Sequence, residues 1–181
     1  MSKRRRASRG RKPRPAQALP ILRSQTPFER ELTTKRRGEI SELAFTLAAA
    51  RRGFAIAKPF GDSERYDVIL DPSHLDSSNP QARPRLVRVQ VKSSTQMSNG
   101  LYRVNAHRRI NGRAVPYTLA EIDFFAAYVI PEDSWFIFPL PHILGLTGLL
   151  LRPRQRRKPH HNDHYREAWH YLREPDGLEF A

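Results

Sequence analysis

The sequence predicts an α/β domain, because one helical pattern near the N-terminus is followed by several strand patterns. Residues 34–52 repeat apolar side chains at helical spacing, whereas residues 85–94 alternate strictly between polar and apolar side chains. Residues 124–130 form an apolar run that predicts a central strand. These elements, in a chain of 181 residues, fit a single domain.

The predicted helix is marked at both ends. Thr33 or Thr34 can cap its start, and Gly53 follows it as a stop. We interpret Glu39 as a solvated side chain, whereas Glu42, at the edge of the buried side, needs a partner or a metal ion. The predicted apolar stripe consists of Ile40, Leu43, Ala44, Leu47 and Ala48.

The strand at residues 85–94 places Arg88, Gln90 and Lys92 on the face opposite its valines. An ordinary half-buried strand would show the same pattern, with its polar face in water. A second short strand, residues 65–70, carries the Asp67 carboxylate on the same face as a hydrophobic side chain, which is unusual for a solvated aspartate. The two strands together therefore predict a site.

Further patterns extend the fold. Residues 100–106 are the predicted hairpin partner of the 85–94 strand, and residues 134–140 continue the sheet with aromatic side chains in the core. Thr118 and Glu121 have the spacing of a capping box that would open a short helix.

The charge balance points to a polyanionic partner. The chain has 32 Lys and Arg against 18 Asp and Glu, a formal charge of +14, and no cysteine. Nucleic acid is the usual partner of such a surplus, and the lack of thiols excludes disulfides and thiolate metal sites. No apolar run approaches the roughly 20 residues that span a bilayer, and no signal-peptide core follows the N-terminal charges. We expect a cytoplasmic, nucleoid-associated protein with no membrane partner.

The domain organisation follows from composition. Residues 1–19 predict a disordered basic arm for nucleic acid, containing Lys3, Arg4, Arg5 and Arg6; a solubilising tail or a targeting signal is the alternative. Residues 20–150 form the folded domain, and residues 151–181 a basic C-terminal extension with a short helix.

A basic patch lies between the predicted strands. The side chains of this patch and Arg88 are the candidate DNA-binding residues of the domain. A solvated basic loop is an equally good interpretation of the patch. The spacing of His160 and His164 invites a zinc hypothesis, but a third firm ligand is missing. The patch consists of Arg103, Arg108, Arg109 and Arg113, with His107 beside them.

Carboxylate, amide and lysine side chains on neighbouring strands suit metal-dependent phosphodiester hydrolysis. Asp67 and Glu42 would be the charged ligands of Mg²⁺, or of Mn²⁺. Gln90 and the backbone oxygen of Val91 would add neutral ligands, and Lys92 would orient the attacking water or stabilise the transition state. A glutamine adds no negative charge to this set of ligands, so one metal ion is favoured over two.

The motif residues, in order, resemble those of the PD-(D/E)XK nucleases, in the branch of homing endonucleases encoded in group I introns, whose last motif is Gln-x-Lys. The likeness covers about residues 36–140. It rests on the helix glutamate, Gly53, Pro59, Gly61-Asp62, Tyr66-Asp67 and Arg88-Val-Gln-Val-Lys92.

The resemblance implies a restriction-endonuclease-like core, in which a helix and a further helix flank a mixed, four-stranded central sheet. It makes residues 20–150 a nuclease-like domain. It also implies that Asp67 is the motif aspartate, that Gln90 replaces the second acid, that Lys92 is the motif lysine and that Glu42 is the helix glutamate. Tyr66 departs from the motif proline, and residues 71–84 are an insertion.

The expected function is that of a Mg²⁺-dependent DNA endonuclease. A homodimer or homotetramer is expected, because cutting both strands needs two sites. The alternatives are a non-catalytic nucleic-acid-binding protein with the same fold, and a Holliday-junction resolvase with the same chemistry on branched DNA.

Overall fold

The computed structural model describes residues 33–61, 63–75, 86–154 and 158–173. The N-terminal arm, with Lys3 to Arg6, and most of the 71–84 insertion lie outside the described residues. One α-helix, α1 (Thr34–Arg51), and ten strands are found in the described ranges. The strands are β1 Ala55–Ala57, β2 Val68–Asp71, β3 Val87–Ser94, β4 Met97–Ser98, β5 Leu101–Asn105, β6 His107–Ile110, β7 Arg113–Pro116, β8 Phe124–Val129, β9 Ser134–Pro139 and β10 Gly148–Leu151.

The central sheet has five strands in the order β1-β2-β3-β8-β9. β3 and β8 run parallel and the other pairs run antiparallel. This confirms the predicted mixed α/β fold, with one more strand than the four that the resemblance implied. β3, which carries Gln90 and Lys92, lies in the middle, so both of its hydrogen-bonding edges are occupied.

The ends of α1 are as predicted. The Thr33 side chain accepts the backbone N–H of Arg36 at 3.2 Å, and Gly53 has a φ of 90°. A Cβ at Gly53 would also meet Leu75 at 2.9 Å. Glycine at this position therefore allows both the turn and the close approach of residues 73–75.

The buried face of α1 differs from the predicted one. Phe45 and Ala49 are fully buried, whereas Leu43 and Leu47 are 63% and 53% exposed. Residues 43–50 are apolar nearly all round the helix, so periodicity alone did not identify the inner face. Phe45 selects that face by packing against Trp135 and Trp169, each with a ring centroid 5.4 Å away.

The sheet has a hydrophobic cluster on each face, because successive side chains of β8 and β9 point to opposite sides. One cluster packs under α1 and the other under a three-stranded sheet of β10, β5 and β4. In the described part of the chain this small sheet occupies the position where the resemblance implied a further helix. β5 therefore pairs with β4 and β10, and the predicted hairpin with β3 is wrong.

Of two further predicted helices, one is replaced by a turn and the other is a short 3₁₀ helix. The backbone N–H of Thr118 donates to Glu121 at 3.0 Å, as in a capping box, but the chain turns at residues 118–122 and enters β8. The C-terminal element is a 3₁₀ helix of four residues, Trp169–Leu172. Its Trp169 and Leu172 are buried under α1, so residues 158–173 pack onto the same core as the domain. None of the described helices is long and apolar enough to cross a bilayer.

Candidate active site

Asp67 is tied by its backbone and its side chain to β3. It directly precedes β2, and its backbone N–H donates to the carbonyl of Val89 at 2.9 Å. One carboxylate oxygen, Oδ2, accepts the backbone N–H of Val91 at 2.7 Å and the side-chain amide of Gln90. Gln90 is only 4% exposed. The side chain of Asp67 is thus held in one position by two donors from the central strand.

The carboxyl group of Asp67 has a raised pKa of about 6. Burial is the main cause, and the negative charge of Glu42 adds to it. The Val91 N–H bond and the positive charges of Lys92 and Lys58 act in the opposite direction. Four charged side chains from different elements therefore interact at this point.

Glu42 and Lys58 form an ion pair, with Lys58 Nζ 3.1 Å from Glu42 Oε2. α1 supplies the glutamate, and the lysine directly follows β1. Sequence reasoning did not select Lys58. The signal lies in the register, because β1 and β2 pair antiparallel with Ala57 opposite Ile69, which brings Lys58 next to the residues that precede β2.

Lys92 lies in a cleft of about 630 Å³ between α1 and β3, and Glu42 forms part of the same wall. Its ammonium makes no hydrogen bond or ion pair with any residue that the structure describes. A second cleft, of about 530 Å³, contains Asp67 and again Glu42. Glu42 thus borders both clefts. The larger cleft is also lined by Arg37, Ser94, Thr95, Arg103 and Asn105.

The donor set suits a single hard cation better than a cluster. Within residues 33–61, 63–75, 86–154 and 158–173, no group of three or more His, Cys, Asp or Glu side chains converges. Asp67 and Glu42 offer two carboxylates, and a divalent cation would relieve the burial and the mutual repulsion that raise the Asp67 pKa. The amide nitrogen of Gln90 donates to Asp67 and, at 3.3 Å, to the backbone oxygen of Val91, so it is the N–H side of the amide that faces these two acceptors.

The predicted DNA-binding arginines fall into two groups. Arg88 donates to both carboxylate oxygens of Asp123, at 2.9 and 3.1 Å, and Arg108 pairs with Glu121 at 3.0 Å. Their guanidinium groups are thus engaged inside the protein. Arg103, Arg109 and Arg113 are exposed, and Arg103 borders the larger cleft.

His160 and His164 show no metal-binding arrangement in the described residues. The backbone N–H of His160 donates to Asp163 at 2.8 Å, and the His164 ring lies 3.7 Å from that of Tyr165. Burial lowers the pKa of both imidazoles. These contacts are those of a packed turn.

Comparisons with known proteins identify proteins similar to this chain. A family model described as PD-(D/E)XK endonuclease matches residues 32–172. Among solved structures, the bacterial homing endonuclease I-Ssp6803I is 29% identical, with a TM-score of 0.63; the match covers 79% of this chain and 93% of that one. No curated protein matches the chain. Both matches confirm the resemblance inferred from the motif residues.

Proposed function

The chain belongs to the PD-(D/E)XK endonuclease family, and we propose that it is a Mg²⁺-dependent DNA endonuclease with Glu42, Asp67, Gln90 and Lys92 at its site. The observation that carries the proposal is the partly buried Asp67 carboxylate, which is held by β3 and lines one cleft with Glu42, while Glu42 and Lys92 line the other. The similarity to a homing endonuclease and the formal charge of +14 support DNA as the substrate.

Each side chain has a distinct task in this proposal. Asp67 and Glu42 would hold the metal ion, which would supply positive charge for the phosphate and for activation of the attacking water. The backbone oxygen of Val91 is a further ligand. Gln90 holds the Asp67 carboxylate in place through its amide N–H. Lys92, whose ammonium makes no hydrogen bond or ion pair with the described residues, would stabilise the transition state or orient the water.

The single neutral amide in the motif favours one metal ion over two. A second acid at position 90 would add the negative charge that a second ion requires. Calorimetric titration of the DNA-free protein with Mg²⁺ or Mn²⁺ is expected to give one site per chain. Two tightly bound ions in that titration would contradict the one-metal proposal.

Cutting both strands of a duplex needs two sites, so we also propose a homodimer or homotetramer as the active form. Sedimentation equilibrium tests this directly. A monomer that nicks one strand only would contradict it, without contradicting the nuclease chemistry.

Incubation of the purified protein with supercoiled plasmid and with branched DNA tests the function. Nicking or linearisation in Mg²⁺ that is abolished by EDTA is the expected result. Preference for the branched DNA would favour a Holliday-junction resolvase. Binding without any cleavage would favour a non-catalytic nucleic-acid-binding protein.

A further inference from the structure

The strands β6 and β7 form a separate two-stranded ribbon. They pair only with each other in the described part of the chain, in a register with Ile110 opposite Arg113. The connection is Asn111-Gly112, with φ angles of 49° and 78°, which matches the right-handed twist of a tight hairpin. Residues 109–114 at the tip are exposed, whereas the base is half-buried.

The base of the ribbon is fixed to the domain on both sides. Arg108 pairs with Glu121, outside the ribbon, at 3.0 Å, and its bond to the carbonyl of Pro116 at 2.5 Å joins the two strands at the base. The His107 ring contacts the carbonyl oxygen of Thr147 at 2.7 Å. The ribbon therefore has an exposed tip and a base that Arg108 and His107 fix to the domain.

These anchors place the ribbon next to the candidate site. Glu121, which holds Arg108, also lies 3.8 Å from Arg65, two residues before Asp67. On the other side, Asn105, at the end of β5, borders the cleft that contains Lys92. The base of the ribbon, which begins two residues after Asn105, therefore lies next to the wall of that cleft.

The tip carries positive charge and no acid. The segment 107–116 contains three arginines and neither Asp nor Glu. Arg109 donates to the carbonyl of Gly112 at 2.9 Å, which holds its side chain along the turn, and Arg113 is exposed. The two side chains project from opposite faces of the ribbon, because they occupy adjacent cross-strand pairs.

We propose that this ribbon enters the major groove of the DNA and that Arg109 and Arg113 contact base edges there. Four residues per strand span about 13 Å, and the major groove, about 12 Å wide and 8.5 Å deep, admits a two-stranded ribbon. Arginine is the side chain that most often contacts guanine in that groove. The inference rests on the proposed function, since it assigns the sequence preference of that nuclease to the ribbon.

The test uses a random-sequence duplex library bound by the full chain in EDTA, so that no cleavage is needed. Bound duplexes are sequenced for the native protein and for Arg109→Gln/Arg113→Gln. The matched control, Arg51→Gln/Lys158→Gln, removes the same charge from exposed positions that border neither cleft. Because all four side chains are exposed, melting temperatures are expected to stay the same, which checks folding.

The native protein and the control are expected to enrich the same base positions, and the ribbon variant is expected to lose that enrichment. Dimethyl sulfate interference on the native complex is expected at guanine N7, in the major groove. Unchanged enrichment in the ribbon variant, no base enrichment in the native protein, or interference only at adenine N3 in the minor groove would overturn the inference. If the native protein binds DNA with base preference but never cleaves it, the proposed function is contradicted, whereas the inference about the ribbon still holds.

Discussion

The Asp67 carboxylate accepts the backbone N–H of Val91 at 2.7 Å, which joins the residue before β2 to the strand that carries Gln90 and Lys92. A side chain held this way needs no reorganisation when a cation arrives, so the bond preorganises the proposed site. The carboxylate is nevertheless partly buried, and this burial and the negative charge of Glu42 both raise its pKa. The site is thus held in position at a cost to folding stability.

Replacement of Asp67 by Asn is expected to stabilise the metal-free protein at high pH. The pKa of Asp67 in the folded protein is about 6, above the usual 3.8. The charged carboxylate therefore destabilises the folded protein: the effect is absent below the unfolded-state pKa and complete above pH 6. The gain at pH 8 is expected to approach about 3 kcal/mol at most and to vanish near pH 4. Urea unfolding in EDTA at both pH values measures the difference in the free energy of unfolding between the variant and the native protein. An equal difference at both pH values would show that the charge on Asp67 does not destabilise the folded protein.

Glu42 and Glu39 offer a matched comparison. Both lie on α1 and both are in ion pairs, Glu42 with Lys58 at 3.1 Å and Glu39 with Arg36 at 3.0 Å. Glu42→Gln removes a proposed ligand, so metal-dependent cleavage is expected to fall at least about 100-fold. Glu39→Gln is expected to stay within about threefold of the native rate, since exposed ion pairs contribute little. Cleavage time courses at saturating Mg²⁺ measure both rates, and similar losses in the two variants would exclude a special role for Glu42.

Lys58 is expected to compete with the metal ion for Glu42. Removing its charge in Lys58→Met frees the carboxylate, and Mg²⁺ affinity is expected to rise about two- to fivefold, the range of an exposed pair. Lys158→Met removes an exposed lysine away from both clefts and serves as the control. Calorimetric titration measures the affinity. Weaker binding by Lys58→Met would mean that the lysine supports the site.

Glu167 is expected to anchor the C-terminal segment. It accepts the backbone N–H of Trp135 at 2.7 Å and the indole N–H of Trp169 at 2.8 Å, and it lies 3.6 Å from Arg52. Glu167→Ala leaves two donors unpaired and is expected to cost about 1–3 kcal/mol in the free energy of unfolding. Glu167→Gln keeps an acceptor and is expected to lose less. Urea unfolding compares the two, and equal losses would exclude the hydrogen bonds as the cause.

The sequence predicted the neighbouring positions of Asp67 and Gln90 because Asp67 directly precedes one strand and Gln90 lies on another, and both strands have strong local patterns. It did not predict the inner face of α1, because residues 43–50 are apolar nearly all round the helix. That face is set by the packing of Phe45 against Trp135 and Trp169, which lie far along the chain. Contacts of this kind have no local signature.

The same limit applies to charged residues. The charge pattern selected Arg88 and Arg108, but Asp123 and Glu121 bind their guanidinium groups in the folded protein. Lys58 lies beside Glu42 only because of the register of β1 against β2. Charge type is visible in the sequence, whereas partners depend on the tertiary fold.

The most direct test of the proposed site is plasmid cleavage in Mg²⁺ by the native protein and by Asp67→Asn. The variant is expected to fold at least as stably as the native protein at pH 8, so a loss of activity cannot reflect unfolding. Cleavage by the variant is expected to fall at least about 100-fold, equivalent to about 2.7 kcal/mol of activation free energy. Cleavage by Asp67→Asn at the native rate would contradict the assignment of the active site.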